Sequence, residues 1–104
     1  MDKREALLNQ YGRAVQRLAE VLEQKKNEFI RDSAIKRFEF TYELAWKAIK
    51  ATLEYRGITC TSPRDCFKEA YRKKFINYEQ IWLDLLDMRN ETAHTYKEKT
   101  AEDV

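Results

Sequence analysis

The chain has 104 residues, 43% of them hydrophobic and 37% charged, which suits one folded domain and excludes a disordered segment or two domains. Two glycines and one proline are too few turn formers for a β-sandwich or barrel and fit a handful of long helices. Twenty basic and 18 acidic residues leave a net charge of +2 and a pI near 8.5. That is short of the basic footprint of a DNA-binding domain, although a small local basic site is compatible with it. At this size folding buries only about 60–65% of the unfolded surface, so a lone copy has a thin core and self-association is expected.

From Lys3 to about Asn27, apolar residues recur at Leu8, Tyr11, Val15, Leu18 and Leu22, widened by Leu7, Ala14 and Val21. This 3–4 spacing predicts a first amphipathic helix with Arg13, Gln16, Arg17, Glu20 and Glu23 on its wet side. Asp32-Ser33 offers an N-cap for a second helix. Ile35, Phe38, Tyr42, Ala45 and Ile49 form its main seam, while Ala34, Phe40, Leu44, Trp46, Ala48 and Leu53 occupy other faces. A helix apolar nearly all round belongs at the centre. Gly57 is placed to close it in the left-handed conformation, ahead of a loop from Ile58 to Thr61.

Ser62-Pro63-Arg64-Asp65 reads as an N-cap, a proline at the first helical position and an acidic third residue. It opens a short third helix to about Lys74, with Cys66, Phe67, Ala70 and Tyr71 inward. Asn77-Tyr78-Glu79-Gln80 is a similar box, opening a fourth helix through Ile81, Trp82, Leu85, Leu86 and Met88 towards Thr92. Lys97-Glu98-Lys99 reads as a mixed-charge linker, and Thr100-Ala101-Glu102-Asp103 as the start of a fifth helix cut short at Val104. The expected architecture is a single all-α domain over residues 1–104, an up-and-down four-helix bundle with a truncated fifth helix.

Cys60 and Cys66 are too few for a disulfide scaffold, and their spacing matches no zinc pattern, so reduced buried thiols are expected. No apolar run approaches 18 residues, and Met1-Asp2-Lys3-Arg4-Glu5 leads straight into a helical pattern. A cytoplasmic protein that makes no membrane contact is the reading.

The lone histidine lies in Arg89-Asn90-Glu91-Thr92-Ala93-His94-Thr95-Tyr96. Arg89 and Tyr96, seven apart, share a helix face, and His94 is roughly 140° from Arg89. All three meet a common groove if the helix ends near His94 and its last turn relaxes. Arginine supplies a fixed fork of donors for a phosphate, and histidine exchanges a proton near pH 7. Asn90 and Tyr96 add neutral hydrogen-bonding groups. The set suits metal-free RNA cleavage, in which a base takes the 2′-hydroxyl proton and a cation stabilises charge developing on phosphorus. An Arg and a His near a helix end also serve its dipole and last carbonyls, and spacing alone does not choose. Cleavage benefits from both a base and an acid, and one chain has one histidine. A two-fold dimer joining the fourth helices would supply two histidines and two arginines to one cleft.

Arg89-x4-His94-x-Tyr96 resembles the R-x4-H-x-Y signature of the HEPN superfamily (higher eukaryote and prokaryote nucleotide-binding domains). Arg37-Phe38-Glu39-Phe40-Thr41-Tyr42-Glu43-Leu44-Ala45-Trp46-Lys47 resembles the second helix of its nucleotidyltransferase substrate-binding branch, and Ser62-Pro63-Arg64 and Trp82 fit the same branch. The resemblance spans Met1 to Tyr96. It implies a homodimeric helical bundle, partnered by a separate minimal nucleotidyltransferase in a toxin–antitoxin module. In the toxin branch the Arg and His form a ribonuclease site, which falls here on Arg89 and His94, with Asn90 assisting. The tyrosine, here Tyr96, is the residue the transferase modifies with nucleotides, silencing the toxin by adding bulk and negative charge. RNA or a nucleotide is the implied ligand, with no metal and no cofactor. The alternative from another class is a non-catalytic subunit that presents substrate to the transferase, and the motif is common to both.

Three further groups have two readings each. Glu39 and Glu43, one turn apart, look like an acid/base or metal pair but have Arg37, Lys47 and Arg89 as candidate ion partners, so a structural role that orients Arg89 is favoured. Phe38, Phe40, Tyr42 and Trp46 are read as core rather than as a base-stacking platform. Arg72-Lys73-Lys74 is a solvated helix end or the flank of an RNA groove.

Overall fold

The computed structural model describes residues 2–102, with side chains from 2 to 92. Four α-helices follow in order: α1 (Lys3–Leu22), α2 (Glu28–Tyr55), α3 (Pro63–Arg72) and α4 (Gln80–Glu102), with no strand among the described residues. The expected all-α architecture of four helices is the one observed. α2 is central: α1, α3 and α4 all pack on it, α3 also touches α4, and among the described residues α2 is the one helix against which α1 packs extensively. At 1.5 Å per residue α2 is about 42 Å long, which accounts for much of the 46 Å long axis of the molecule.

Local chemistry sets most of the helix ends. Asp2 caps α1 by accepting the Glu5 N–H at 2.8 Å. α1 stops at Leu22 rather than near Asn27, and α2 starts before the expected cap at Asp32-Ser33. The cause is Asn27, whose side chain accepts the Ile30 N–H at 2.9 Å. The chain turns at Glu23-Gln24 and runs through Lys25-Lys26 into that cap. Ser62 caps α3 through the Asp65 N–H at 3.2 Å, and Asp65 reaches back to the Thr61 N–H at 3.2 Å.

The two helices in the middle of the chain end alike. Gly57 takes φ 77°, and the Gly57 and Ile58 N–H groups donate to the Glu54 and Leu53 carbonyls, each at 2.9 Å. Lys74 takes φ 65°, and Lys74 and Phe75 donate to Tyr71 and Ala70 at 3.0 and 2.8 Å. Both are double-bonded left-handed closures of the same kind. The second one delays α4. Phe75 and Ile76 pack inward immediately after it, so the chain stays non-helical through Glu79 and the helix begins at Gln80. α4 then runs unbroken to Glu102. The linker over Lys97-Glu98-Lys99 and the fifth helix from Thr100 are therefore replaced by a longer fourth helix, Asp103 lying outside the described residues.

The core has two joined parts. Tyr42, Phe67, Leu83 and Leu86 form the first, with Trp82 stacked on Phe67 at a 5.0 Å ring separation. Leu53, Cys60 and Cys66 form the second, flanked by Ile58 and Phe75. Cys60 and Cys66 are joined in a disulfide, which corrects the expectation of two free thiols. The Schellman turn at Gly57 and the start of α3 bring their Cα atoms to 5.1 Å, inside bonding reach.

Three apolar expectations turn out differently. The buried side of α1 is centred on Ala14 and Val21, leaving Leu8, Val15 and Leu22 exposed at seven-residue intervals. α1 has one neighbour and therefore covers only one narrow face. Phe40 is 62% exposed, at the edge of a groove between α1 and α2. Tyr71 is exposed at the outer edge of α3.

Candidate functional site

Arg89 stands where α4 passes the middle of α2. Its Nη2 lies 3.7 Å from Glu43 Oε2, and its Nη1 donates to Asn90 Oδ1 at 3.2 Å. Both partners of the ion pair are half-buried, with side chains 38% and 35% exposed. Glu43 is itself fixed: Trp46 Nε1 donates to Oε2 at 3.0 Å, and Lys47 Nζ is 3.5 Å from Oε1. The carboxylate thus lies beside Arg89 while part of the guanidinium fork faces solvent. Of the ion partners expected for the acidic pair, Lys47 and Arg89 both fall to Glu43. Arg37 is not involved, since it donates to the Arg17 carbonyl instead. Glu39, one turn earlier, has its Oε1 buried without a hydrogen-bond partner among the described residues. Glu39 and Glu43 belong to no group of three or more metal-binding side chains among the described residues.

A second layer braces α4. Arg64 Nη2 pairs with Asp87 Oδ1 at 2.9 Å, tying the start of α3 to the turn before Arg89. Tyr42 donates its hydroxyl to the Trp82 carbonyl at 2.8 Å. Burial pushes the Tyr42 phenol well above the ordinary tyrosine range. Arg64 and Arg89 oppose that shift and Asp87 adds to it. The phenol therefore remains a donor. The bracing by Arg64, Asp87 and Trp46 was not legible in the sequence. Its only hint was Asp87, two residues before Arg89 and on a different helix face.

His94 and Tyr96 lie on the continuous part of α4, and their side chains fall outside the described residues. The helix does not end near His94, so the relaxed last turn that would bring the groups together is absent. Five residues along an unbroken helix set His94 about 140° round from Arg89. The structure therefore groups Arg89 and Asn90 with Glu43 and leaves His94 and Tyr96 further along the same helix. No helix among the described residues is long and apolar enough to cross a membrane.

The nucleotidyltransferase substrate-binding-protein-like family model matches residues 6–104. The chain belongs to this family. Among curated proteins, one from Haemophilus influenzae named "Probable ribonuclease HepT" is 37% identical over 73 residues. That match covers 65% of this chain and 50% of the relative, so the chain spans about half the length of the curated relative it matches. Among solved structures, a protein of Thermus thermophilus superposes with a TM-score of 0.74 at 32% identity, covering 89% of this chain and 82% of the other. It has the same fold.

Proposed function

We propose that this member of the substrate-binding family is a metal-independent endoribonuclease, the toxin half of a module with a minimal nucleotidyltransferase. The observation that carries the reading is Arg89, an arginine fork beside Glu43 and Asn90 and still open to solvent. Such a group is suited to the charge that develops on a phosphodiester. In the proposed reaction His94 takes the proton from the ribose 2′-hydroxyl, and the 2′-oxygen attacks phosphorus. The bond to the 5′-oxygen breaks, and that oxygen leaves with a proton from an acid. The products are a 2′,3′-cyclic phosphate and a 5′-hydroxyl end.

Because His94 is about 140° from Arg89 along α4, the complete set is best supplied by two copies around a two-fold axis, with the second His94 as the acid. Ile81 and Met88 support a homodimer through α4: they are exposed, seven residues apart on one face of the helix, and Met88 adjoins Arg89. Tyr96, two residues beyond His94, is the proposed point of modification by the transferase, which would place negative charge beside the cleft and repel RNA. The name carried by the Haemophilus influenzae relative supports the ribonuclease reading. The family description favours the second reading, a subunit that presents substrate to the transferase without chemistry of its own.

The test is cleavage of a mixed RNA pool by the purified protein in EDTA, with Arg89→Ala and His94→Ala alongside. Cyclic-phosphate ends from the parent and none from folded variants are expected. A folded parent that leaves RNA intact sinks the enzymatic reading in favour of the binding subunit.

A further inference from the structure

On the side of α2 away from α4, Arg13 and Arg17 of α1 and Arg37 of α2 line an open groove of about 440 Å³ together with Gln10, Thr41 and Phe40. Of the six arginines elsewhere on the chain, four pair with carboxylates (Arg31 with Asp32, Arg64 with Asp87, Arg72 with Glu69 and Arg89 with Glu43), and Arg4 and Arg56 lie over the rings of Tyr55 and Phe75. Among the described residues, none of the three groove arginines has such a partner. The one fixed contact is Arg37 Nη1 donating to the Arg17 carbonyl at 2.8 Å, which holds that guanidinium across the two helices and leaves its other donors available. Three unneutralised guanidiniums close together repel one another, and an anionic ligand relieves that repulsion. Phe40, 62% exposed, lies at the rim of the groove. A large exposed ring beside clustered arginines is the combination that binds single-stranded nucleic acid, by stacking bases and pairing phosphates.

The placement joins this groove to the candidate catalytic site. At 100° per residue, Arg37 and Glu43 lie about 60° to either side of Phe40 on α2, and the six residues between them rise about 9 Å. Lys47 is within about 20° of the Phe40 direction and reaches Glu43, the residue beside Arg89. A chain of cationic groups with one exposed aromatic therefore crosses the outer face of α2 from Arg13 and Arg17 to Arg89.

We propose that Arg13, Arg17, Arg37 and Phe40 form a binding site for single-stranded RNA that leads the strand across α2 to Arg89. The ligand class rests on the ribonuclease reading, while the groove's test does not depend on cleavage. The probe is a fluorescently labelled single strand of about 12 nucleotides carrying 2′-O-methyl sugars, which cannot undergo the cleavage step. Binding is followed by anisotropy over a range of salt. Arg13→Ala/Arg17→Ala is expected to lower affinity about tenfold or more, and to make the slope of log K against log salt shallower by about 1.4. Phe40→Ala is expected to lose about fivefold or more with the slope unchanged. Lys25→Ala/Lys26→Ala, on the α1–α2 turn, removes equal charge outside the groove and should bind as the parent does.

Equal loss in the turn variant would reduce the effect to bulk charge and overturn the site. A parent that does not bind the probe overturns it as well. So does a parent that binds while the groove variants bind equally, and groove variants that lose a nucleotidyltransferase complex but keep RNA would reassign the face to a protein. A parent that binds through the groove yet never cuts unmodified RNA leaves the site standing and removes the catalytic reading. A parent that cuts RNA with no dependence on the groove does the reverse.

Discussion

Replacing Phe67 tests whether the aromatic core is what holds α4, and with it Arg89, in place. The ring is fully buried, stacked on Trp82 at 5.0 Å and tilted against Tyr42 at 5.3 Å. Phe67→Ala removes the buried ring and leaves a cavity, which costs about 3–5 kcal/mol. For a domain of this size that is a large part of a total stability of roughly 5–15 kcal/mol, and corresponds to a fall in Tm of roughly 15–20 °C. Phe67→Leu keeps most of the volume and loses both ring pairs, for about 1–2 kcal/mol. Urea unfolding followed by circular dichroism at one fixed protein concentration measures both, the fixed concentration being needed because self-association would contribute to stability. An alanine variant within about 1 kcal/mol of the parent would refute the reasoning, since no relaxation of α3 could refill so enclosed a site.

Other perturbations separate local from site effects. Gly57→Ala should cost about 1 kcal/mol through its φ of 77° alone, since open space surrounds the position, whereas Lys74→Gly should stabilise by up to about 1 kcal/mol; thermal melts with both shifts in the same direction would contradict this. The unfolded chain ionises Tyr42 from about pH 10, while burial holds the native phenol protonated to higher pH. Stability present below that point is therefore lost as pH rises, at up to about 1.4 kcal/mol per unit. Tyr42→Phe should flatten this alkaline decline, and parallel declines in parent and variant would count against the argument. Glu43→Gln should change stability by no more than about 1 kcal/mol, as befits a half-exposed pair, yet, under the proposed ribonuclease function, lower RNA cleavage about tenfold or more in kcat with KM little changed. Equal loss in both parameters would mean Glu43 does not position Arg89. Removing the disulfide by Cys60→Ala/Cys66→Ala should cost about 2 kcal/mol from loop closure, read from chemical denaturation under non-reducing conditions.

What could be read from the chain alone was whatever is decided within one or two turns of backbone. The Ser62-Pro63 start and the Gly57 stop are interactions between residues a few positions apart, and each appears where the local pattern puts it. The family resemblance, carried by the second-helix block and the Arg89-to-Tyr96 motif, was legible for the same reason, being contiguous sequence. Only the tertiary structure decided which side of α1 is buried, because Leu8, Val15 and Leu22 are as apolar as the residues inside and α1 has just one helix to pack on. It also decided that Phe40 faces solvent, that Cys60 meets Cys66, and that Arg89 takes Glu43 from among several possible carboxylates. Each depends on how two segments distant in sequence are turned towards each other, which hydrophobic period and composition leave undetermined.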